Sequence, residues 1–415
     1  MRRLWPLTVR GTGALILAIL CLVMANEFGV TELMYFGILL LAVLGAGVAS
    51  LYLSRRSDVV TRSLQPDVAT VGRESVVNVR VGVRTALPTP PGVWQDTLPK
   101  GLSGDSKGIF PALGSGLRRS DRVVDLSYIV RGVRRGVHSI GPLSVRSTDP
   151  FGLARRQNLF GERTAVTVAP AIVDLPPLTD FAGETGGTLH TTTNQLGQGA
   201  DNLVARPYMS GDSMRRIHWR ATAHRDELMV RQEEQESTPE ASVVLDRGAL
   251  RWSTEAMHAP GSDPGFEAAV SACVSAVARL VHDGYAVEVL DSDGTVLADR
   301  IDGGDMAEVD AMLTHFATLT ARRDDSLGRL ARLFAGTMTG PVIVVVGRFD
   351  ASDASAIAAV PHHSTLPMLF AVSPVADALD RAADHGWRVG AIDPDGDFAA
   401  AWGNAVGRGL SHVVA

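Results

Sequence analysis

The sequence predicts two transmembrane helices, then a β-sandwich-like domain, then a doubly wound α/β domain. Three observations carry that reading. Two long uncharged apolar runs stand near the N-terminus, a stretch with period-two hydrophobicity follows, and alternating strand and helix patterns fill the C-terminal half. At 415 residues, with 46% hydrophobic and 20% charged side chains, the chain suits folded domains beyond an anchor.

The anchor is assigned to residues 1–56, with spans at about 11–26 and 33–54. The first run is slightly short for a hydrocarbon core of ~30 Å, and Arg10 and Trp5 suit its interfacial end. The second is rich in Gly and Ala, including Gly37, Gly45 and Gly47, which lets helices approach closely. A cleaved signal peptide fits less well, because a second full span follows at once. Arg2, Arg3, Arg10, Arg55 and Arg56 flank the pair, whereas the connecting segment holds Glu27 and Glu32. The positive-inside rule therefore puts both termini and the soluble domains in the cytoplasm.

Residues 57–170 form the β-sandwich-like domain. Val77, Val79, Val81 and Val83 alternate with polar or small residues, as do Val124, Leu126, Tyr128 and Val130. The region holds 16 basic and 9 acidic side chains, and Arg80, Arg84, Arg131, Arg134 and Arg135 are expected on an outward, solvated face. Residues 238–415 reverse the balance, with 12 basic and 24 acidic side chains, which speaks against nucleic acid as a ligand. In this α/β domain a strand at 241–245, a helix at 266–282 and a wholly apolar strand at 341–346 mark a parallel sheet covered on both faces. Cys21 and Cys273 lie far apart and read as packing residues.

Residues 171–237 join the two domains through a Gly/Thr-rich loop and an arginine-rich stretch, 206–232. Asp212 is placed to cap a helix beginning near Ser213, with Ile217, Ala221 and His224 on one face and Arg216 and Arg220 on another. The candidate partner-binding or structural residues are Arg206, Tyr208, Gly211, Asp212, Arg215, Arg216, His218, Trp219, Arg220 and Arg231. Arginine's rigid fork of donors suits carboxylates, so an internal ionic network and a docking surface both fit. His218 as a general base is the catalytic alternative, but no nucleophile-elbow, zincin or Walker pattern accompanies it.

The pattern Arg206-x-Tyr208-x-x-Gly211-Asp212-x-x-Arg215-x-Ile217-x-Trp219, then Leu228-x-Val230-Arg231, resembles the signature of the bacterial "domain of unknown function 58" family. Upstream, Arg135-Gly136-Val137, Gly141-Pro142 and Asp149-Pro150-Phe151-Gly152-Leu153 are similar to what precedes that signature. The resemblance implies an uncharacterized membrane protein whose C-terminal domain is von Willebrand factor A-like. It also implies a MoxR-type AAA+ ATPase as partner, with a transglutaminase-like membrane protein as neighbour. That fold carries a metal site after its first strand; here only Asp246 is retained, with Gly248 and Leu250 where hydroxyls are needed, so neither metal nor cofactor is expected. The expected function is a membrane-anchored, non-enzymatic adaptor or scaffold in assembly or maturation of membrane or cell-envelope proteins. The alternative is an envelope-related hydrolase, transferase or ligand sensor using His218 and the arginines.

Overall fold

A computed structural model describes residues 5–53, 59–83, 90–112, 122–178, 203–208, 214, 217–225, 227–233, 239–324, 327–336 and 339–407. It forms two compact units. The first comprises Met1–Ala171 with Ala259–Ser262 and Leu313–Leu319; the second takes the remainder.

The first unit opens with α1 (Val9–Phe28) and α2 (Thr31–Leu53), both long and apolar enough to cross a membrane. They run further than the charge-free stretches suggest. Glu27 and Glu32 lie within helix, and the turn shrinks to two residues because Gly29 takes the left-handed conformation at φ 66°. A third helix meets the same length and hydropathy criteria, but it is buried in the α/β domain described below.

Among the described residues, eleven strands follow: β1 (Val59–Gln65), β2 (Ala69–Thr70), β3 (Glu74–Val83), β4 (Gly92–Asp96), β5 (Leu102–Gly104), β6 (Lys107–Phe110), β7 (Arg122–Gly132), β8 (Gly136–Ile140), β9 (Leu143–Thr148), β10 (Arg155–Phe160) and β11 (Thr164–Ala169). They build two four-stranded sheets, β1-β3-β7-β5 and β10-β9-β4-β6, and a smaller sheet β2-β11-β8. Val77, Val79 and Val81 of β3 and Leu126, Tyr128 and Val130 of β7 share one core with Trp94, Leu143, Val145 and Val168. Between the sheets lies a buried ionic group. Arg62 donates twice to Asp96, at 2.9 and 3.1 Å, and the Tyr128 hydroxyl donates to Asp96 at 2.9 Å. Burial, reinforced by the Asp96 charge, raises the Tyr128 pKa.

Arg80, Arg131 and Arg134 are exposed as expected, but Arg135 is not. It is 1% exposed, and its guanidinium donates to the Phe316 carbonyl. The inward turn arises because β7 ends at Gly132, so strand alternation no longer governs residue 135. Arg84 lies outside the described residues.

The second unit contains a two-stranded ribbon of β12 (Leu203–Pro207) and β13 (Met229–Glu233), with the short α3 (Trp219–Arg225) between them in sequence. Its α/β domain comprises β14 (Glu240–Leu245), α4 (Glu255–His258), α5 (Pro264–His282), β15 (Ala286–Asp291), β16 (Val296–Ile301), α6 (Met306–Phe316), α7 (Leu330–Leu333), β17 (Thr339–Phe349), α8 (Ala351–Ala356), β18 (Ser364–Pro374), α9 (Ala378–Asp384), β19 (Arg388–Ala391) and α10 (Phe398–Gly407). The sheet order is β16-β15-β14-β17-β18-β19. All neighbours are parallel except the β15–β16 hairpin. The end of α6 groups with the first unit. α5 links β14 to β15; Asp263 caps its N-terminus, and Cys273, Val274 and Val277 are buried along it. Residues 393–397 form a turn in which Asp393 accepts from the Asp395 N–H and Asp397 accepts from the Ala399 N–H at the start of α10.

Candidate functional site

In the arginine-rich stretch, β12 pairs antiparallel with β13, so in the backbone register Arg206 is the partner of Val230 and Ala205 that of Arg231. Ile217 forms an antiparallel bridge to Val230 and is buried. The expected helical face of Ile217, Ala221 and His224 is therefore interrupted at Ile217. Ile217 is held in extended backbone by β13, and α3 starts only at Trp219. His218 takes the N-cap role: its Nδ1 accepts the Ala221 N–H at 3.0 Å. Thr222 Oγ1 donates to the His218 carbonyl and accepts the Met229 N–H, joining α3 to β13. Tyr208 is half-buried, and its N–H donates to the Leu228 carbonyl. Trp219 is 67% exposed and Arg220 is exposed beside it. Gly211, Asp212, Arg215 and Arg216 lie outside the described residues, as do the capping role expected of Asp212 and the Gly/Thr-rich loop at 181–201.

A second constellation forms at the carboxyl edge of the sheet, where chain order reverses: β14 is flanked by β15 on one side and β17 on the other. Doubly wound folds bind ligands at such a switch point. Asp246, immediately after β14, is fully buried. Its Oδ1 accepts from the Gly248 N–H at 3.1 Å and the Ser292 hydroxyl at 2.8 Å. Its Oδ2 lies 2.7 Å from Arg251 Nε. Arg251 also donates to both oxygens of Asp353, at 2.7 and 2.9 Å, and to the Arg348 carbonyl. Asp291, fully buried at the end of β15, meets Arg247 at 2.8 Å and Arg322 at 3.2 Å. Arg322 continues to Asp293 at 2.7 Å. The absent side chain of Gly347 leaves the space that Arg251 and Trp252 fill, since a Cβ there would meet the Arg251 carbonyl at 2.3 Å.

Electrostatics follow from this packing. Burial pushes the Asp246 carboxyl above the ordinary range, while Arg251 pulls it back. Asp293 is held down to about 2: some desolvation raises it, but hydrogen bonds from Thr295 and Arg322 outweigh that. The residues do not fit a divalent cation. A hard cation needs several free oxygen ligands, whereas both Asp246 oxygens are engaged and a guanidinium stands against one of them. Sequence reasoning found Asp246 but missed Ser292, Asp291, Arg251 and Arg322. They arrive from other loops, and local spacing carries no sign of them.

Residues 204–284 match a family model described as "Protein of unknown function DUF58". The DUF58 segment thus begins in β12, runs through α3 and β13, and ends just past α5, taking in Asp246 and Arg251 but not Asp291 or Asp353. The chain is also similar to the uncharacterized protein YeaD of Bacillus subtilis (strain 168), with 23% identity over 338 residues, covering 80% of this chain and 81% of YeaD. Among solved structures, a von Willebrand factor type A protein from Catenulispora acidiphila is 12% identical, with a TM-score of 0.27; the match covers 43% of this chain and 42% of that one. A CARDB domain from Pyrococcus furiosus is 15% identical, with a TM-score of 0.17, covering 26% of this chain and 93% of that domain.

Proposed function

We propose that the chain is a membrane-tethered, non-enzymatic adaptor. The α1–α2 hairpin holds it in the cell membrane with both termini and both soluble domains on the cytoplasmic side. The α/β domain docks a MoxR-type AAA+ ATPase that acts in assembly or maturation of membrane or cell-envelope proteins, and a transglutaminase-like membrane protein is a further neighbour.

The observation that carries this reading is the use made of the carboxylates at the switch point. Asp246 and Asp291 each stand against guanidiniums, which supports a rigid docking edge over a reactive one. His218 is likewise engaged as a helix cap. The acidic balance of residues 238–415 gives a basic partner surface a complementary field.

The test uses the full chain in detergent micelles as bait for the MoxR-type ATPase encoded by the same genome. Capture in at least one nucleotide state is expected, and weakens as salt rises. Failure with ATP, with ADP and without nucleotide overturns the partner assignment. Proteolysis of inverted membrane vesicles reads the orientation separately: the soluble domains are expected to be cut in inverted vesicles and protected in right-side-out ones.

A further inference from the structure

Residues 149–154, between β9 and β10, pack against the anchor itself. Leu7 bridges Ala154, and the Arg155 N–H donates to the Pro6 carbonyl. Thr8, the N-cap of α1, donates its hydroxyl to the Gly152 carbonyl at 2.6 Å and its N–H to the Leu153 carbonyl at 2.9 Å. A Cβ on Gly11 would meet the Leu153 carbonyl at 1.9 Å, and one on Gly47 would meet Asp149 Oδ2 at 2.8 Å. The loop therefore touches the first turn of α1 and reaches α2 at Gly47. That point lies six residues before Leu53, about 9 Å along the helix axis. Thr8 stands just before the apolar run of α1, so for a hairpin that spans the bilayer the level of the loop is the headgroup–acyl boundary, with a headgroup layer about 5–7 Å deep beyond it.

Its composition and hydrogen bonding suit that depth. The Asp149 carboxylate accepts the N–H groups of Phe151 and Ala154, and the Asp149 carbonyl accepts that of Gly152. Pro150 has no N–H to satisfy. Backbone satisfied from within is what a segment at the apolar boundary requires. At the tip, Phe151 is 59% exposed, with Val9 91%, Trp5 59% and Tyr52 57% exposed on the same end of the hairpin. Arg156 lies over the Tyr52 ring at 4.3 Å and donates to the Leu51 carbonyl.

We infer that residues 149–154 form a lipid-facing wedge, with Phe151 entering the bilayer at the headgroup–acyl boundary and so docking the β domain on the membrane surface. The occupant of this apolar tip is phospholipid, because the tip is continuous with the lipid-facing surface of α1 and α2. This rests on the reading of the hairpin as a membrane anchor.

The test attaches an environment-sensitive fluorophore at Phe151→Cys in the full chain, with Cys21 and Cys273 replaced by Ala, reconstituted in phosphatidylcholine–phosphatidylglycerol vesicles. A second label at Leu41→Cys, mid-span in α2, reads the anchor against lipids brominated deep in the acyl chains. Lipids brominated near the headgroup are expected to quench the Phe151 label strongly and aqueous iodide weakly, placing it roughly 5–10 Å into the interface. If the Leu41 label is lipid-quenched while the Phe151 label responds only to iodide, the wedge is overturned and the anchor stands. If neither responds to brominated lipid, the anchor reading falls, and the wedge with it. A Phe151→Asp variant, with its thermal unfolding checked, is expected to lose the contact of the β domain with the bilayer, seen as faster proteolysis at residues 149–154. Unchanged proteolysis counts against the wedge.

Discussion

Arg251 Nε lies 2.7 Å from Asp246 Oδ2, and its side chain is 8% exposed against a carboxylate that is fully buried. This places a fixed guanidinium beside the first acidic residue of the sheet's carboxyl edge. Arg251→Met removes the guanidinium that faces the buried Asp246 carboxyl, a change that costs on the order of 3–5 kcal/mol in buried pairs. Urea unfolding of the α/β domain measures the loss, and adding Asp246→Asn is expected to recover part of it. The pH dependence has a definite sign. Burial raises the folded Asp246 pKa and Arg251 lowers it, so losing Arg251 raises it further; the variant then binds more protons folded than unfolded over a wider range than the intact protein, and its deficit shrinks as the pH falls.

Asp293 gives the opposite slope. Its folded pKa of about 2 lies below the ordinary 3.8, so the folded state prefers the carboxylate. Its contribution is present above the unfolded value and is lost as the pH falls through the folded one. Asp293→Asn is therefore expected to flatten the acid-stability curve between those two values and to leave stability at pH 7 slightly lower. Denaturant titrations across that window check this.

His218 separates capping from catalysis. Asn is a good N-cap residue, so His218→Asn retains the α3 start, whereas His218→Ala costs about 0.5–2 kcal/mol of local stability. Hydrogen exchange of the Ala221 amide is the readout. A function lost in both variants despite normal exchange in His218→Asn revives the general-base reading.

In the β domain, Asp96→Ala strands Arg62 in the core and is expected to destabilise by about 3–5 kcal/mol. Tyr128→Phe removes one hydrogen bond to a charged group and costs about 1.5–3 kcal/mol. Thermal unfolding of the two variants ranks them.

The Cys273 thiol is fully buried, and burial pushes its pKa up to about 12. Thiolate is the reactive form, so a maleimide is expected to leave Cys273 unlabelled at pH 8 until the α/β domain opens. Mass spectrometry along a urea series measures that point.

The parts that were legible in the sequence share a cause. Strands β3 and β7 bury one face each, so their apolar residues alternate and the pattern survives without knowledge of the fold. The apolar β17 and the alternation around it mark the parallel sheet for the same reason. What was illegible depends on tertiary partners. Arg251 and Asp353 are 102 positions apart, and nothing local in either segment announces the other. Ile217 fitted a helical face with Ala221 and His224, but a bridge to Val230 draws it into extended backbone. Arg135 looked like its exposed neighbours because a charge reads as surface until a buried carbonyl is found for it.

The contacts of residues 149–154 with Thr8, Gly11 and Gly47 also have a mechanical meaning. A domain joined to a membrane only by its chain transmits a pull along one line and swivels about it. Here a pull on the β domain reaches the anchor through the polypeptide and also through the β9–β10 turn, bearing on both helices at once. Torque is transmitted along with tension, so a partner that turns or levers the β domain rotates the hairpin with it.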